Sequence, residues 1–202
     1  MTIWRGKSPL VLASQSRTRK ILLANAGLAF ETMPADIDER SVQQASKLSA
    51  PGDIAGLLAR EKAQWVSAQK AGHYVVGADQ TLALEKRLFN KPDGRAAAAE
   101  QIRALAGQTH ELHSAIAVVL DGKIMFETIA VARMSMRPLG DDAIHAYLDE
   151  AGEAVTSSVG AYQLEGLGVH LFEKINGDHF TILGLPLLPL LAFFRRQRLI
   201  GI

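Results

Sequence analysis

The sequence contains no cysteine. Disulfides, thiol nucleophiles and cysteine-ligated zinc or iron–sulfur centres are thereby excluded, and the chain suits a reducing compartment. Aromatic residues make up only 6% of it, and 22 Lys and Arg against 21 Asp and Glu leave a net charge of +1. Without a basic face or a run of stacking rings, nothing draws in nucleic acid or an anionic membrane, and any phosphate binding has to come from local groups. No GxGxxG or GxxxxGK[ST] pattern occurs, which removes the dinucleotide and P-loop readings. The HELH of residues 110–113 lacks the HExxH spacing, and on a strand His110 and His113 point to opposite faces, which argues against a zinc site. Long apolar runs are missing too. The opening MTIWRGKSP has no signal-peptide core, and residues 182–194 are too short, and interrupted by Gly184, Pro186 and Pro189, to span a bilayer. The expectation is a cytoplasmic protein with neither membrane nor nucleic acid as partner.

What is present is 202 residues, 48% hydrophobic and 21% charged, ample for a core and expected to form a single domain over 1–202, with two closely joined lobes at most. Residues 73–92, HYVVGADQTLALEKRLFNKP, organise the rest. Tyr74, Val75 and Val76 read as the end of a buried strand, Gly77 and Ala78 remove bulk, and Asp79 and Gln80 follow where that strand is expected to run out. Ligands of open α/β sheets gather at such strand ends, so Asp79 is a candidate general base or metal ligand. Lys91, ahead of Pro92, adds a charge at a fixed turn.

Upstream, the apolar run 9–13 reads as a buried strand feeding Ser14-Gln15-Ser16-Arg17-Thr18-Arg19-Lys20, with Ser16 as N-cap of a helix stopped by Gly27. Cations in a first turn oppose the helix dipole, and an anion held by Ser14, Ser16 and Arg19 beside the free N–H groups resolves that conflict. In isolation, a capped helix with solvated basic residues explains the pattern better. Residues 30–40 read as a strand and a loop with Asp36, Asp38 and Glu39: either a solvated acidic loop, or a loop from which one carboxylate joins Asp79 on a divalent cation. Residues 53–70 read as an amphipathic helix capped by Asp53, with Ile54, Leu57, Leu58 and Trp65 as its stripe and Lys62 at the border. A helix over 95–106 capped by Asp93, an Asp121-Gly122 hairpin, a helix over 143–149, a glycine-spaced loop over 157–168, a second hairpin about Asn176-Gly177-Asp178 and a last helix entered through Pro186 complete the pattern. Interleaved helices, strands and hairpins argue an α/β fold on a mixed sheet.

Together these segments resemble the Maf family of nucleotide pyrophosphatases from about residue 9 to residue 194. The family opening ASxSPRRxxLL is similar to ASQSRTRKILL at 13–23, with Arg17 where the family usually has Pro and Thr18 where many members have Arg. The DE pair resembles Asp38-Glu39, REKA stands at 60–63, GAD at 77–79 and KP at 91–92. SGxxH is matched in part by Gly107 and His110, and the tail motif by Gly160-Ala161-Tyr162, Glu165-Gly166, Ile175-Asn176-Gly177 and Gly184-Leu185-Pro186. The resemblance implies an elongated mixed sheet with flanking helices and two lobes around a central cleft. It also implies hydrolysis of a nucleoside triphosphate to the monophosphate and pyrophosphate with Mg²⁺ or Mn²⁺, and a dimer. By the same resemblance Asp79 activates water, Ser14, Ser16, Arg19, Lys62 and Lys91 hold the phosphates, and Glu39 and Asp79 serve the metal. Thr18, Gln80 and Glu165 are the specificity positions, and Gln80 and Glu165 resemble the branch acting on 7-methyl-GTP. A carboxylate such as Glu165 accepts hydrogen bonds from the N1–H and exocyclic amine of guanine, a donor pair pyrimidines lack. Two other readings stand beside this one: the same chemistry on dTTP, UTP or nucleotides in general, and a nucleotide-binding regulator of cell division with little turnover.

Overall fold

In the computed structural model, which describes residues 3–202, the aliphatic run becomes β1 (Leu10–Ala13), buried at every position. Ser16 caps α1 (Arg17–Asn25), its side chain accepting from the Arg19 amide. The chain returns as β2 (Phe30–Thr32), parallel to β1. Then come α2 (Glu39–Ser46), α3 (Pro51–Ser67) and β3 (Val75–Leu84), which lies parallel to the other side of β1. β4 (Arg87–Phe89) folds back antiparallel on β3, and α4 (Arg95–Leu105) follows. β5 (Thr109–Leu120) and β6 (Lys123–Met136) are joined by Asp121 and Gly122 at φ 48° and 76°, the two left-handed residues a tight hairpin needs. The rest is α5 (Asp141–Ala151), three short 3₁₀ turns, β7 (Phe172–Asn176) antiparallel to β6, a one-turn α6 (His179–Ile182) and α7 (Leu187–Arg196). The seven strands form one mixed sheet in the order β2-β1-β3-β5-β6-β7, with β4 on β3. The expected mixed α/β class is the observed one.

Two compact units share this chain. The first comprises the chain up to Gln80, Ser114–Ala130 and His179–Ile202. Its strands alternate, so Leu10, Leu12, Val76, Ile116 and Val118 face one side, where Phe193 and Phe194 of α7 cover them. Val11, Ala13, Val75, Ala115, Ala117 and Val119 face the other, against Ala55, Ala59, Ala63 and Val66 of α3. The two covers differ in thickness. α7 brings phenylalanines, while α3 brings alanines and comes so near that a Cβ built on Gly77 would meet the Ala59 carbonyl and lie 2.8 Å from the Ala63 amide. The second unit, Thr81–His113 and Val131–Asp178, buries Ile102 and Leu105 of α4 and Ile144 and Leu148 of α5. Arg95–Asp149 and Arg103–Asp141 tie these two helices together across the surface.

Several local expectations need correcting. β3 does not stop near Asp79 but runs to Leu84, because β4 and β5 supply new pairing partners. The acidic loop holds a helix: Asp38 is the N-cap of α2, accepting from the amides of Arg40 and Ser41. Pro51 sets the start of α3, so Asp53 sits in its first turn and Ala50 is the cap. Gly94, not Asp93, caps α4. No second hairpin forms about Gly177, since 179–182 coil into α6, and Pro186 is the N-cap of α7, ahead of Leu187. No helix among the described residues is long and apolar enough to cross a membrane.

Candidate active site

β1 ends at Ala13, opposite Gly77 of β3. β3 continues past that end, so Asp79 leaves the ladder with β1 behind while remaining inside a strand, and it is only 8% exposed. Asp79 thus lies just past the end of its neighbour β1, although it is itself mid-strand. Above it, the alanine face of α3 lies against Gly77, and Lys62, next to Ala63, is carried directly to the carboxylate. Lys62 Nζ donates to Asp79 Oδ1 at 2.6 Å and lies 2.8 Å from Glu39 Oε1. Of the three candidate acids near 36–39, the structure brings in Glu39. Asp38 is spent on the α2 cap and on the Ser41 hydroxyl at 2.7 Å, and Asp36 is exposed.

Burial holds the Asp79 carboxyl above its ordinary range, against the pull of Lys62 and Arg19, and Glu39 adds to the upward push. Arg19 reaches the same place from α1. Its Nε donates to the Gly184 carbonyl and its Nη1 to the Ala78 carbonyl, both at 2.7 Å, with Ser14 Oγ at 3.3 Å from Nη1. Burial lowers the Arg19 pKa while the charges of Asp79 and Glu39 raise it, and a guanidinium stays charged under such conditions. Ser14 Oγ also accepts the Ser16 amide at 3.2 Å, and Ser16 Oγ the Arg19 amide at 3.3 Å. Ser14, Ser16 and Arg19 are therefore one hydrogen-bonded turn at the N-terminus of α1, a helix with no acidic residue in its first turn. Thr18 is half-buried on the same helix.

Gln80, a specificity candidate, has its side-chain amide engaged by the chain itself. Its Nε2 donates to Ser114 Oγ at 2.8 Å and lies 3.0 and 3.2 Å from the carbonyls of Ile182 and Thr181, and Ser114 itself donates to the Thr181 carbonyl at 2.7 Å. The amide hydrogens of Gln80 thus pin the turn after α6, where Gly184 adopts φ 84°. Ser114 and the carbonyls of 181–184 are participants that composition and spacing gave no reason to select. The only signal was the Gly184-Leu185-Pro186 motif. The remaining candidates belong to the second unit. Lys91 is exposed between β4 and α4, and Glu165 is exposed in the turn closed by the Gly166 amide on the Gln163 carbonyl. Also in that unit, His110 Nε2 shares a 2.7 Å hydrogen bond with the Tyr162 hydroxyl, and burial pushes His110 down to about 4 and Tyr162 up. His113 pairs instead with Glu111 at 3.0 Å.

Asp79 and Glu39 converge on one point, presently taken by an ammonium group. Two carboxylates of hard oxygen donors suit a divalent cation that completes its shell with phosphate oxygens and water, the usual mode for Mg²⁺. Among the described residues no cluster of three or more His, Cys, Asp or Glu offers a self-sufficient cage. The donor set fits a cation shared with a ligand.

Residues 9–197 match the family described as Maf-like protein. The chain belongs to the Maf-like family. A Maf-like relative from Bradyrhizobium diazoefficiens, named nucleoside triphosphate pyrophosphatase, is 68% identical over 202 residues and covers 100% of both chains. One from Rhodopseudomonas palustris with the same name is 64% identical over 202 residues, again covering 100% of both. A third, from Rhizobium etli, is named 7-methyl-GTP pyrophosphatase and is 52% identical over 188 residues, 92% of this chain and 94% of its own. In this Maf-like chain the motif residues of 13–23, 39, 60–63 and 77–79 all fall in the first unit.

Proposed function

We propose that the chain hydrolyses a nucleoside triphosphate to the monophosphate and pyrophosphate. The observation that carries this reading is the buried Asp79 held by Lys62, beside an anion-ready turn of Ser14, Ser16 and Arg19. The names of the relatives support it. Asp79 accepts the proton of a water that attacks the α-phosphorus. A new P–O bond forms as the bond from that phosphorus to the bridging oxygen breaks, and pyrophosphate leaves with the electron pair. Negative charge builds on the phosphates during attack. The N–H groups at the start of α1, the Arg19 guanidinium and Lys62 offset it with little reorganisation, and Lys91 is a further phosphate-binding candidate. Glu39 and Asp79 are the residues that would hold Mg²⁺ or Mn²⁺, whose charge neutralises phosphate oxygens.

For the base, the favoured substrate is 7-methyl-GTP. Glu165 offers the carboxylate that a guanine N1–H and exocyclic amine require, and the methylated ring is cationic. The relative from Rhizobium etli carries that name. With the Gln80 amide engaged inside its own unit, discrimination falls mainly on Glu165, with Thr18 beside the phosphate turn.

The test is pyrophosphate release from 7-methyl-GTP, GTP, dTTP, UTP and CTP with Mg²⁺ or Mn²⁺, run alongside Asp79→Asn. Release from 7-methyl-GTP that falls by about 10²–10⁴-fold in the variant, the usual worth of a general base, is the expected result. Release from dTTP or UTP instead discards the base assignment and keeps the chemistry. Tight nucleotide binding without release from any substrate overturns the enzymatic reading in favour of a regulator.

A further inference from the structure

The point between Glu39 and Asp79 is filled by one group, the ammonium of Lys62, at 2.8 Å and 2.6 Å. Among the described residues Lys62 is the ion-pair partner of Asp79, and the Asp79 carboxylate could not remain buried and charged without a counter-ion. The Arg19 guanidinium does not take that role directly, since its Nε and Nη1 are turned to the carbonyls of Gly184 and Ala78. A divalent cation bound by the same two carboxylates needs the same space, and two cations do not share it.

We infer that Lys62 is the resident counter-ion of the Glu39–Asp79 pair and yields it to a divalent cation only when nucleotide phosphate takes up the ammonium. The geometry allows the exchange. The Lys62 side chain is 12% exposed and that of Glu39 51% exposed, so one of the ammonium's two partners faces solvent. A triphosphate supplies the anion Lys62 needs on leaving, and phosphate oxygens complete the shell of the arriving cation. The same lysine then has two successive partners, carboxylates before binding and phosphate after. Metal and nucleotide binding become coupled: each raises the affinity for the other by the same factor. This order of events rests on the hydrolase reading for its purpose, but its geometry is independent of which reaction follows.

The experiment is a titration of nucleotide-free protein with Mn²⁺ at pH 8, free metal being read by electron paramagnetic resonance, for wild type, Lys62→Met and Lys62→Met/Glu39→Gln. The expected result is at least tenfold tighter Mn²⁺ binding by Lys62→Met than by wild type, with the gain lost in the double variant. Equal or weaker binding by Lys62→Met overturns the inference. Should the variants fail to fold, nitrogen-15 NMR of the Lys62 ammonium in wild type gives the answer. Its signal should stay put with Mg²⁺ alone and shift with an α,β-methylene nucleoside triphosphate in metal-free buffer. A shift with Mg²⁺ alone overturns the inference. Pyrophosphate release by wild type, measured separately, keeps the two readings apart. Release without the Mn²⁺ difference sinks the counter-ion exchange alone, and the Mn²⁺ difference without release sinks the hydrolase reading alone.

Discussion

His110 and Gln80 show what single side chains contribute away from the Asp79 carboxylate. His110 is fully buried, its Nε2 on the Tyr162 hydroxyl and its Nδ1 without a partner among the described residues. Its pKa falls from 6.5 to about 4 in the folded state through burial. Above pH 6.5 neither state is protonated and the contribution to stability is complete. Between 6.5 and 4 the unfolded chain takes up a proton that the native chain refuses, so stability declines as pH falls, by on the order of 3 kcal/mol in all, and levels off below 4. Urea denaturation at steps from pH 7 to 4.5 should show this slope in wild type and a shallower one in His110→Gln, by about one proton. Identical slopes would remove His110 from the acid response. For Gln80, replacement by Thr strips donors from Ser114 Oγ and from the carbonyls of residues 181 and 182. The expected cost is about 2 kcal/mol of stability, read by chemical denaturation alongside the substrate panel. A change of base preference with unaltered stability would show that Gln80 reads the base and braces nothing.

At the scale of elements, the thin cover of α3 is what places Lys62. Gly77→Ala puts a methyl group against the Ala59 carbonyl and 2.9 Å from the Ala63 Cβ, so the helix has to move away from β3. Overpacking of this kind costs about 1–3 kcal/mol, and the shift also separates Lys62 from Asp79. Pyrophosphate release should therefore drop further than the melting temperature suggests, and full activity at a lowered melting temperature would refute the link. The sequence made Gly77 and Ala78 conspicuous as small residues, and showed Lys62 at the border of a stripe, but the partner surface of alanines on α3 is a tertiary fact. Asp38-Glu39 looked like loop because α2 draws its stability from its Asp38 cap and has no buried residue of its own. The short run 179–183 looked like a strand because periodicity cannot assign so short a segment to helix or strand. Two of its carbonyls, those of Thr181 and Ile182, are held by Gln80, far away in sequence. Asp121-Gly122 was legible because the turn is specified by the two residues that make it, and the mixed α/β class was legible from the order of elements alone.

At the scale of the molecule, the first unit is assembled from three separated stretches, and the Gly184 carbonyl on Arg19 and the carbonyls on Gln80, together with Phe193 and Phe194, come from the third. Arg19, Lys62 and Asp79 are made long before these partners. At a synthesis rate of about 5–20 residues per second, about 5–20 s separate the appearance of Asp79 from that of Gly184. Throughout that interval Leu10, Leu12 and Val76 wait without their phenylalanine cover, while the second unit, complete by Asp178, is free to fold first. The nascent chain thus carries the apolar positions of β1 and β3 for seconds before α7 exists to cover them, a delay that the second unit does not share.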